Sequence, residues 1–398
     1  VGVGAWAGSD FSFSAQLISR GLSHAHVTRQ GQDNSGGAAA VVEVVDWAGG
    51  MRAFWGVGED AAHAALGRFV VDGLKVYDSK QRHRADHAAT ARISPHIRFG
   101  ELSPRQVVFA ARKAGGEGAA RAFARRLAWR DMAYWALWRF PASGTVGFRP
   151  QYEHEEWSPD DGTLLQAWQQ GNTGYPLVDA AMRQLWHTGW MPNYLRHVTA
   201  QFLVEYLHLD WKLGLRWYHD TLVDADVAIN AFMWANGGHC GMDQWCFVMH
   251  PIFAAKQCDP EGDYVRQYVP ELAGLPVEFI HCPWDAPATM RASAHVQLGD
   301  SGNYPKRIIE DLERARRQSL AEVMSVRQGV GAQYLEPGGN DCVTHNGERR
   351  VLVTRKDFRI GQTVTRQTAE PTWDKSRRDR PGPMAAALRE EMGRAVPE

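Results

Sequence analysis

Asp224-Ala-Asp226-Val-Ala-Ile-Asn230-Ala-Phe-Met-Trp234-Ala-Asn236-Gly-Gly238 reads as a helix whose faces do not suit any ordinary surroundings. At helical spacing Asp226, Asn230 and Trp234 fall at i, i+4 and i+8, and the glycine pair supplies the stop. A stripe of carboxylate, amide and indole is neither how a helix meets water nor how it meets an apolar core. It suits the wall of a pocket for a large polar ligand that carries an apolar ring. Two segments upstream have the same helical period. Tyr175-Pro176 to Trp186 puts Leu177, Val178, Ala181, Met182 and Leu185 on one side, with Pro176 in the first turn and Gly189 closing it, which predicts a core helix. The next begins at Pro192 and gathers Asn193, Arg196 and His197 on one face, with Leu195, Val198, Phe202 and Leu203 supplying apolar contacts, a second polar wall.

Working outward, helical spacing runs from Trp55 to about Val326, so residues 56–328 are expected to form one α-rich domain. Residues 1–55 mix Gly, Ala and Ser around one apolar stretch, 38–45, that could be a strand, and they receive no fold assignment. Residues 329–398 are rich in Gly, Pro and Arg and are expected to be a disordered tail with one late helix at 384–392. The fold class is therefore mostly α. The 398 residues are 44% hydrophobic and 22% charged with a formal net charge of -1, enough chain for about two or three domains and a core that needs no staples. No run approaches the roughly 20 apolar residues of a membrane helix, so an integral membrane protein is not expected. Near-zero net charge argues against coating nucleic acid with the whole surface but permits a local basic groove. Five Cys with no Cys-x-x-Cys pair fit an intracellular, reducing compartment, whether nucleus, cytoplasm or plastid. The chain opens on Val1 rather than Met and is treated as a processed or fragmentary product. Its 16 Trp outnumber both its 15 Phe and its 11 Tyr, an excess that needs a reason.

Several motifs supply one. Thr90-Ala-Arg-Ile-Ser94-Pro95, Gly100-Glu-Leu-Ser103-Pro104-Arg105, Leu127-Ala-Trp129-Arg130-Asp131, Gly174-Tyr175-Pro176, Gly189-Trp190-Met191-Pro192-Asn193, Asp224-Ala-Asp226 and Cys258-Asp259-Pro260-Glu-Gly262 resemble the photolyase/cryptochrome family in its own order. The resemblance covers about residues 55 to 325 and corresponds to the family's flavin domain. The α/β antenna domain is absent or reduced to the first 55 residues. It implies non-covalent FAD in a helical cup. Thr90, Ala91, Ile93 and Ser94 match the phosphate-binding segment, Tyr77 an aromatic at the same site, Arg130 an arginine near the cofactor, and Asn193 a neighbour of the flavin. Arg196 and Asp224 match a buried ion pair over the isoalloxazine, Asp226 a flavin and ribose contact, and Asn230 the residue facing flavin N5. Trp234, Trp211 and Trp157 match the proximal, middle and distal members of an electron-transfer chain, to which indole is suited by its large, readily oxidised π system.

Departures from the family bear on function. Arg126 stands where enzymes repairing cyclobutane dimers have a Glu, and Asn236 stands where a second lesion-facing Trp is usual, although Trp129 is retained. Of the two His used by (6-4) photolyases, only the second is present, as His197. These positions make a blue-light photoreceptor of cryptochrome type the expected function, with light-driven repair of pyrimidine dimers as the alternative, in which case the chain would be a deoxyribodipyrimidine photo-lyase. The expected partner classes are DNA, as damaged duplex or single strand, and a signalling protein. His239, Cys240, Cys246, His250 and Cys258 have the residue types of a zinc site but not its spacing, so no metal is expected.

Overall fold

The computed structural model describes residues 46–77, 83–85, 90–160, 162–345 and 347–359. The expected strand at 38–45 and the late helix at 384–392 lie outside the described residues, as do most of both expected terminal segments. Among the described residues, nine α-helices of eight residues or more carry the fold: α1 Glu59–Arg68, α2 Pro104–Arg139, α3 Thr163–Gln170, α4 Pro176–Thr188, α5 Asn193–Gln201, α6 Trp211–Thr221, α7 Val227–Gly237, α8 Pro251–Cys258 and α9 Leu312–Gly329. Among the described residues, no helix is long and apolar enough to cross a membrane. A short helix over Gly49–Phe54 starts inside the N-terminal stretch that received no assignment.

Helix starts follow local chemistry. The 36-residue α2 opens on a capping box, with the Ser103 side chain accepting from the Gln106 backbone and Gln106 answering at the Ser103 backbone, and Pro104 sits in the first turn. Ser103→Ala is expected to cost about 1 kcal/mol, read as a lower urea midpoint at unchanged slope. Helix α4 begins on Pro176 and stops at Gly189, whose φ of 67° is left-handed and whose N–H reaches Leu185 O at 2.8 Å. Burial of α4 goes beyond the expected single face, because Asp179, Ala180, Gln184 and Thr188 are buried too. Their polar groups are satisfied inside. Asp179 accepts from Thr173, Gly174 and Tyr304, and Gln184 meets Tyr264 and Tyr268. A helix surrounded by protein can carry such groups only when each has a partner.

The main apolar core gathers α4, α5, the π-helical turn Phe202–Tyr206, α6 and α9. A second cluster holds Leu66 of α1, Phe69 and Leu74 of the two turns that follow it, and Val107 and Phe123 of α2. Helices α6 and α7 approach closely because Gly214 has no side chain, and a Cβ there would lie 2.1 Å from the Trp234 ring.

The packed chain continues past residue 328. Strands β1 Asp341–His345 and β2 Glu348–Leu352 form an antiparallel hairpin that pairs Asp341 with Leu352 and His345 with Glu348. Asp341 is fully buried between two fully buried guanidiniums, with Arg149 Nη1 donating to Oδ2 at 2.5 Å and Arg327 Nη1 donating to Oδ1. Tyr152 OH also donates to this carboxylate at 3.1 Å, and Thr354 Oγ1 accepts from the Asp341 backbone at 2.8 Å. The stretch expected as a tail therefore divides. Residues 329–345 and 347–359 pack on the domain largely through buried charged groups, with Phe358 joining the main apolar core, which is why composition concealed it, and residues 360–398 lie outside the described part. The same Arg149 donates from Nε to Gly241 O at 2.7 Å, so the hairpin anchors the loop that follows α7.

Candidate functional site

Helices α5, α6 and α7 line a solvent-open cleft of about 100 Å3. Asn193, Arg196, His197, Asp224, Asp226, Asn230 and Trp234 all line it, which brings together the two polar walls read from the sequence. Arg196 projects from the first turns of α5, where its Nε donates to Met191 O at 2.9 Å and its Nη2 reaches both Asp224 oxygens at 3.1 and 2.8 Å. Asp224 lies in the turn between α6 and α7 with its side chain 4% exposed. Asp226 is not within α7 but caps it. Its Oδ1 accepts from the backbones of Ala228 and Ile229 at 3.0 and 3.2 Å, and its Oδ2 accepts from Arg130 Nε at 3.2 Å and Tyr134 OH at 2.9 Å. Four donors on one carboxylate hold it rigidly between α7 and α2. Asn230 donates from Nδ2 to Leu215 O at 3.3 Å, an orientation that leaves Oδ1 as the acceptor. Trp234 is 3% exposed and edge-on to Tyr218 at 5.0 Å and to Trp168 at 6.4 Å.

His197 is neutral. Burial first, then the positive charges of Arg126, Arg196 and His83, hold its imidazole down to about 3. Its Nε2 lies 3.4 Å from Asn193 Nδ2, whereas Nδ1 is shut off from solvent with no protein partner. A neutral imidazole cannot act as an acid near neutral pH.

The remaining expected site residues lie outside this cleft lining. Ser94 begins the short helix Ser94–Arg98, its Oγ accepting from Trp190 Nε1 at 3.3 Å. Ile93 and the half-buried Ala91 pack in the second apolar cluster with Tyr77, which is edge-on to Phe69 and Phe123. Thr90 is half-buried. Trp190 joins this segment to the cleft, because it directly precedes the Met191-Pro192-Asn193 turn. Arg126 is exposed on α2, and Trp129 packs 6.1 Å from Phe232. Asn236 is buried, and its Oδ1 accepts from the Asp243 backbone at 3.0 Å; the side chain serves the loop instead of lining the cleft.

Trp211 is 3% exposed and lies against Gly238, where a Cβ would come within 2.3 Å of its ring. Trp157 is half-buried and flanked by His208 at 5.0 Å and by His239 at 6.2 Å, the latter ring 15° from parallel. His239 faces two carboxylates. Its Nδ1 meets Glu155 at 2.9 Å and its Nε2 lies 3.5 Å from Glu205. Burial opposes its protonation, but the two carboxylates outweigh burial and push it up to about 9. A folded-state value above the unfolded 6.5 gives stability that is complete below pH 6.5 and lost as pH rises through about 9. Urea titrations between pH 6 and 10 are expected to show about 2–3 kcal/mol lost across that window, and the His239→Gln protein is expected to lose most of the dependence.

Three contributors to the site were not anticipated. Tyr218 and Trp245 line the cleft, and Tyr134 holds Asp226. Tyr134 stands one helical turn beyond Arg130, a spacing that could have revealed it. Trp245 comes from the loop after α7, where no period points to it.

The family described as the FAD-binding domain of DNA photolyase matches residues 123–325. A deoxyribodipyrimidine photo-lyase of Agrobacterium fabrum is 37% identical over 288 residues, 71% of this chain and 59% of that protein. Cryptochrome-1 of Arabidopsis thaliana is 33% identical over 331 residues, 80% of this chain and 47% of that one. The crystal structure of a bacterial class III photolyase from Agrobacterium tumefaciens superposes with a TM-score of 0.67 at 37% identity, covering 71% of this chain and 59% of its own. The chain thus spans about half the length of the curated relatives it matches.

Proposed function

The chain belongs to the photolyase/cryptochrome family and carries its FAD-binding domain, and from that premise we propose that it is a blue-light photoreceptor of cryptochrome type. The donor set suits FAD. An ion pair, a fixed carboxylate and an amide acceptor stand around one cleft beside an indole, a mixture that fits a ligand both polar and aromatic. Arg196 with Asp224, Asp226 and Asn230 would hold the flavin end, and Thr90 to Ser94 the phosphates. FAD would supply a ring that absorbs blue light and accepts an electron, for which Trp234 would be the neighbouring donor.

The feature that carries the proposal is the set of three indoles that the family resemblance puts in series. Trp234 lines the cleft with its ring on Gly214 of α6, Trp211 begins α6 and lies on Gly238 just beyond α7, and Trp157 is half-buried beside His239 of the next loop. Two glycines let the inner rings lie directly on backbone. Each indole refills the one inward of it, so the electron deficit moves outward, away from the cleft, and slows its own reversal. A partner protein would read the altered charge. Three site features favour signalling over repair: Arg126 offers only donors, Asn236 is turned away, and neutral His197 has no proton to give.

The second reading, light-driven pyrimidine-dimer repair, is favoured by Trp245, which lines the cleft although position 236 has lost its indole. The test is to record the flavin spectrum of the FAD-loaded protein before and after blue light, then to illuminate it with an oligonucleotide containing a cyclobutane dimer. Photoreduction without repair is the expected result. Efficient repair would replace the first reading with the second, and no photoreduction would remove both.

A further inference from the structure

Trp157 touches a buried charge cluster that is separate from the residues lining the cleft. The His239 ring lies 6.2 Å from the Trp157 ring and 15° from parallel, and its side chain is 2% exposed. Glu155 Oε1 stands 2.9 Å from Nδ1 of that imidazole, and Glu205 Oε1 stands 3.5 Å from Nε2. Two guanidiniums stand behind Glu205. Arg355 Nη1, from the turn after β2, donates to Glu205 Oε1 at 2.5 Å, and Arg316 Nη1 of α9 lies 3.2 Å from Glu205 Oε2. Both also hold Asp357, Arg355 from Nε at 2.6 Å and Arg316 from Nη2 at 2.9 Å. Phe358 covers the cluster edge-on to His239 at 5.2 Å.

Charge balance sets the state of His239. Among the described residues, three carboxylates, Glu155, Glu205 and Asp357, face two guanidiniums in this cluster. The cluster is therefore neutral only when the imidazole carries a proton on each nitrogen. Neighbouring groups do not compete for that role. The Cys240 thiol is pushed up by burial first and then by Glu155, and it stays neutral. His208, the other ring on Trp157 at 5.0 Å, has its Nε2 on Glu156 O at 3.0 Å and not on a carboxylate. A built-in cation thus lies against the indole on which the electron deficit is to end.

We propose that protonated His239 is a positioning residue for the electron deficit, raising the energy of oxidised Trp157 so that the deficit rests less on Trp157 and more on Trp211 than it would beside a neutral ring. The inference rests on the reading of Trp157, Trp211 and Trp234 as an electron chain. In the step concerned, one electron passes from Trp157 to oxidised Trp211, no bond forms or breaks, and His239 keeps its proton. A unit charge 6.2 Å from one indole at a half-buried site shifts such an equilibrium by about ten- to 100-fold.

The test follows the oxidised-tryptophan band after a blue flash in the FAD-loaded full chain from about pH 7 to about pH 10, with circular dichroism and flavin absorbance checking fold and occupancy. The lifetime of the band is expected to lengthen by about tenfold as pH passes about 9, because the ring loses its charge and leaves two carboxylates that favour oxidised Trp157. His239→Gln is expected to remove the pH dependence, and His208→Asn to keep it. A second readout needs no photoreduction. The share of indole fluorescence that Trp157→Phe removes is expected to grow over the same range, since an imidazolium quenches an indole stacked on it. A flat lifetime in the parent protein, while Trp157→Phe still shortens the band, overturns the proposal and leaves the electron chain standing. A band indifferent to Trp157→Phe at every pH overturns both. A fluorescence share that does not change with pH also overturns the proposal, because it means that no charge is lost beside the ring.

Discussion

Asp224→Ala and Arg196→Ala are each expected to yield folded protein that purifies without flavin. The two side chains form one unit, because Arg196 Nη2 spans both Asp224 oxygens at 3.1 and 2.8 Å while Arg196 Nε holds Met191 O at 2.9 Å. Asp224 is 4% exposed and Arg196 23%, so removing either partner leaves the other charge in a site with little water to receive it. The cost of such an orphan is roughly 3–5 kcal/mol, which corresponds to about 150- to 5,000-fold in FAD affinity if it falls entirely on binding. Arg196→Lys separates charge from geometry, since an ammonium keeps the sign but cannot make the fork to both oxygens. Partial occupancy is expected there. The ratio of flavin to protein absorbance, read beside circular dichroism, checks all three, and full occupancy in both alanine variants would remove this pair from the cofactor site.

Trp234→Phe is expected to keep FAD while slowing photoreduction by about two orders of magnitude or more, or about 2.7 kcal/mol of barrier. Phenylalanine occupies much of the indole volume and can preserve the edge contact to Tyr218, seen at 5.0 Å, so the cleft should stay closed. It is far harder to oxidise. Photoreduction at the original rate would mean that electrons arrive elsewhere, and two other indoles are placed to be tested. Trp245 lines the same cleft, and Trp217 stacks on the partly exposed Trp186 at 5.9 Å and 7°.

The helical fold and both polar walls of the cleft were legible because they are periodic: Asn193, Arg196 and His197 recur within one turn, and Asn230 and Trp234 one turn apart. Asp226 fits the same period yet caps α7 instead of continuing it. That is a distinction of one residue that spacing does not resolve. The hairpin was not legible. Its order comes from Asp341 lying between Arg149 and Arg327, residues separated in the chain by 192 and 14 positions, and no local pattern announces a buried charge cluster. Trp245 escaped for a similar reason, since it reaches the cleft through Gly237, Gly241 and the Asn236 side chain rather than through a helix face. The tryptophan excess announced an electron chain only by resemblance. Which rings rest on which glycines is tertiary information.

The central claim is that light moves an electron inward along Trp157, Trp211 and Trp234, and transient absorption after a blue flash tests it most directly. The FAD-loaded protein is expected to show an oxidised-tryptophan band that outlives the band in Trp157→Phe, where the electron deficit can travel no further than buried Trp211, and the band is expected to be lost in Trp234→Phe. A band of the same yield and lifetime in all three proteins would contradict the account.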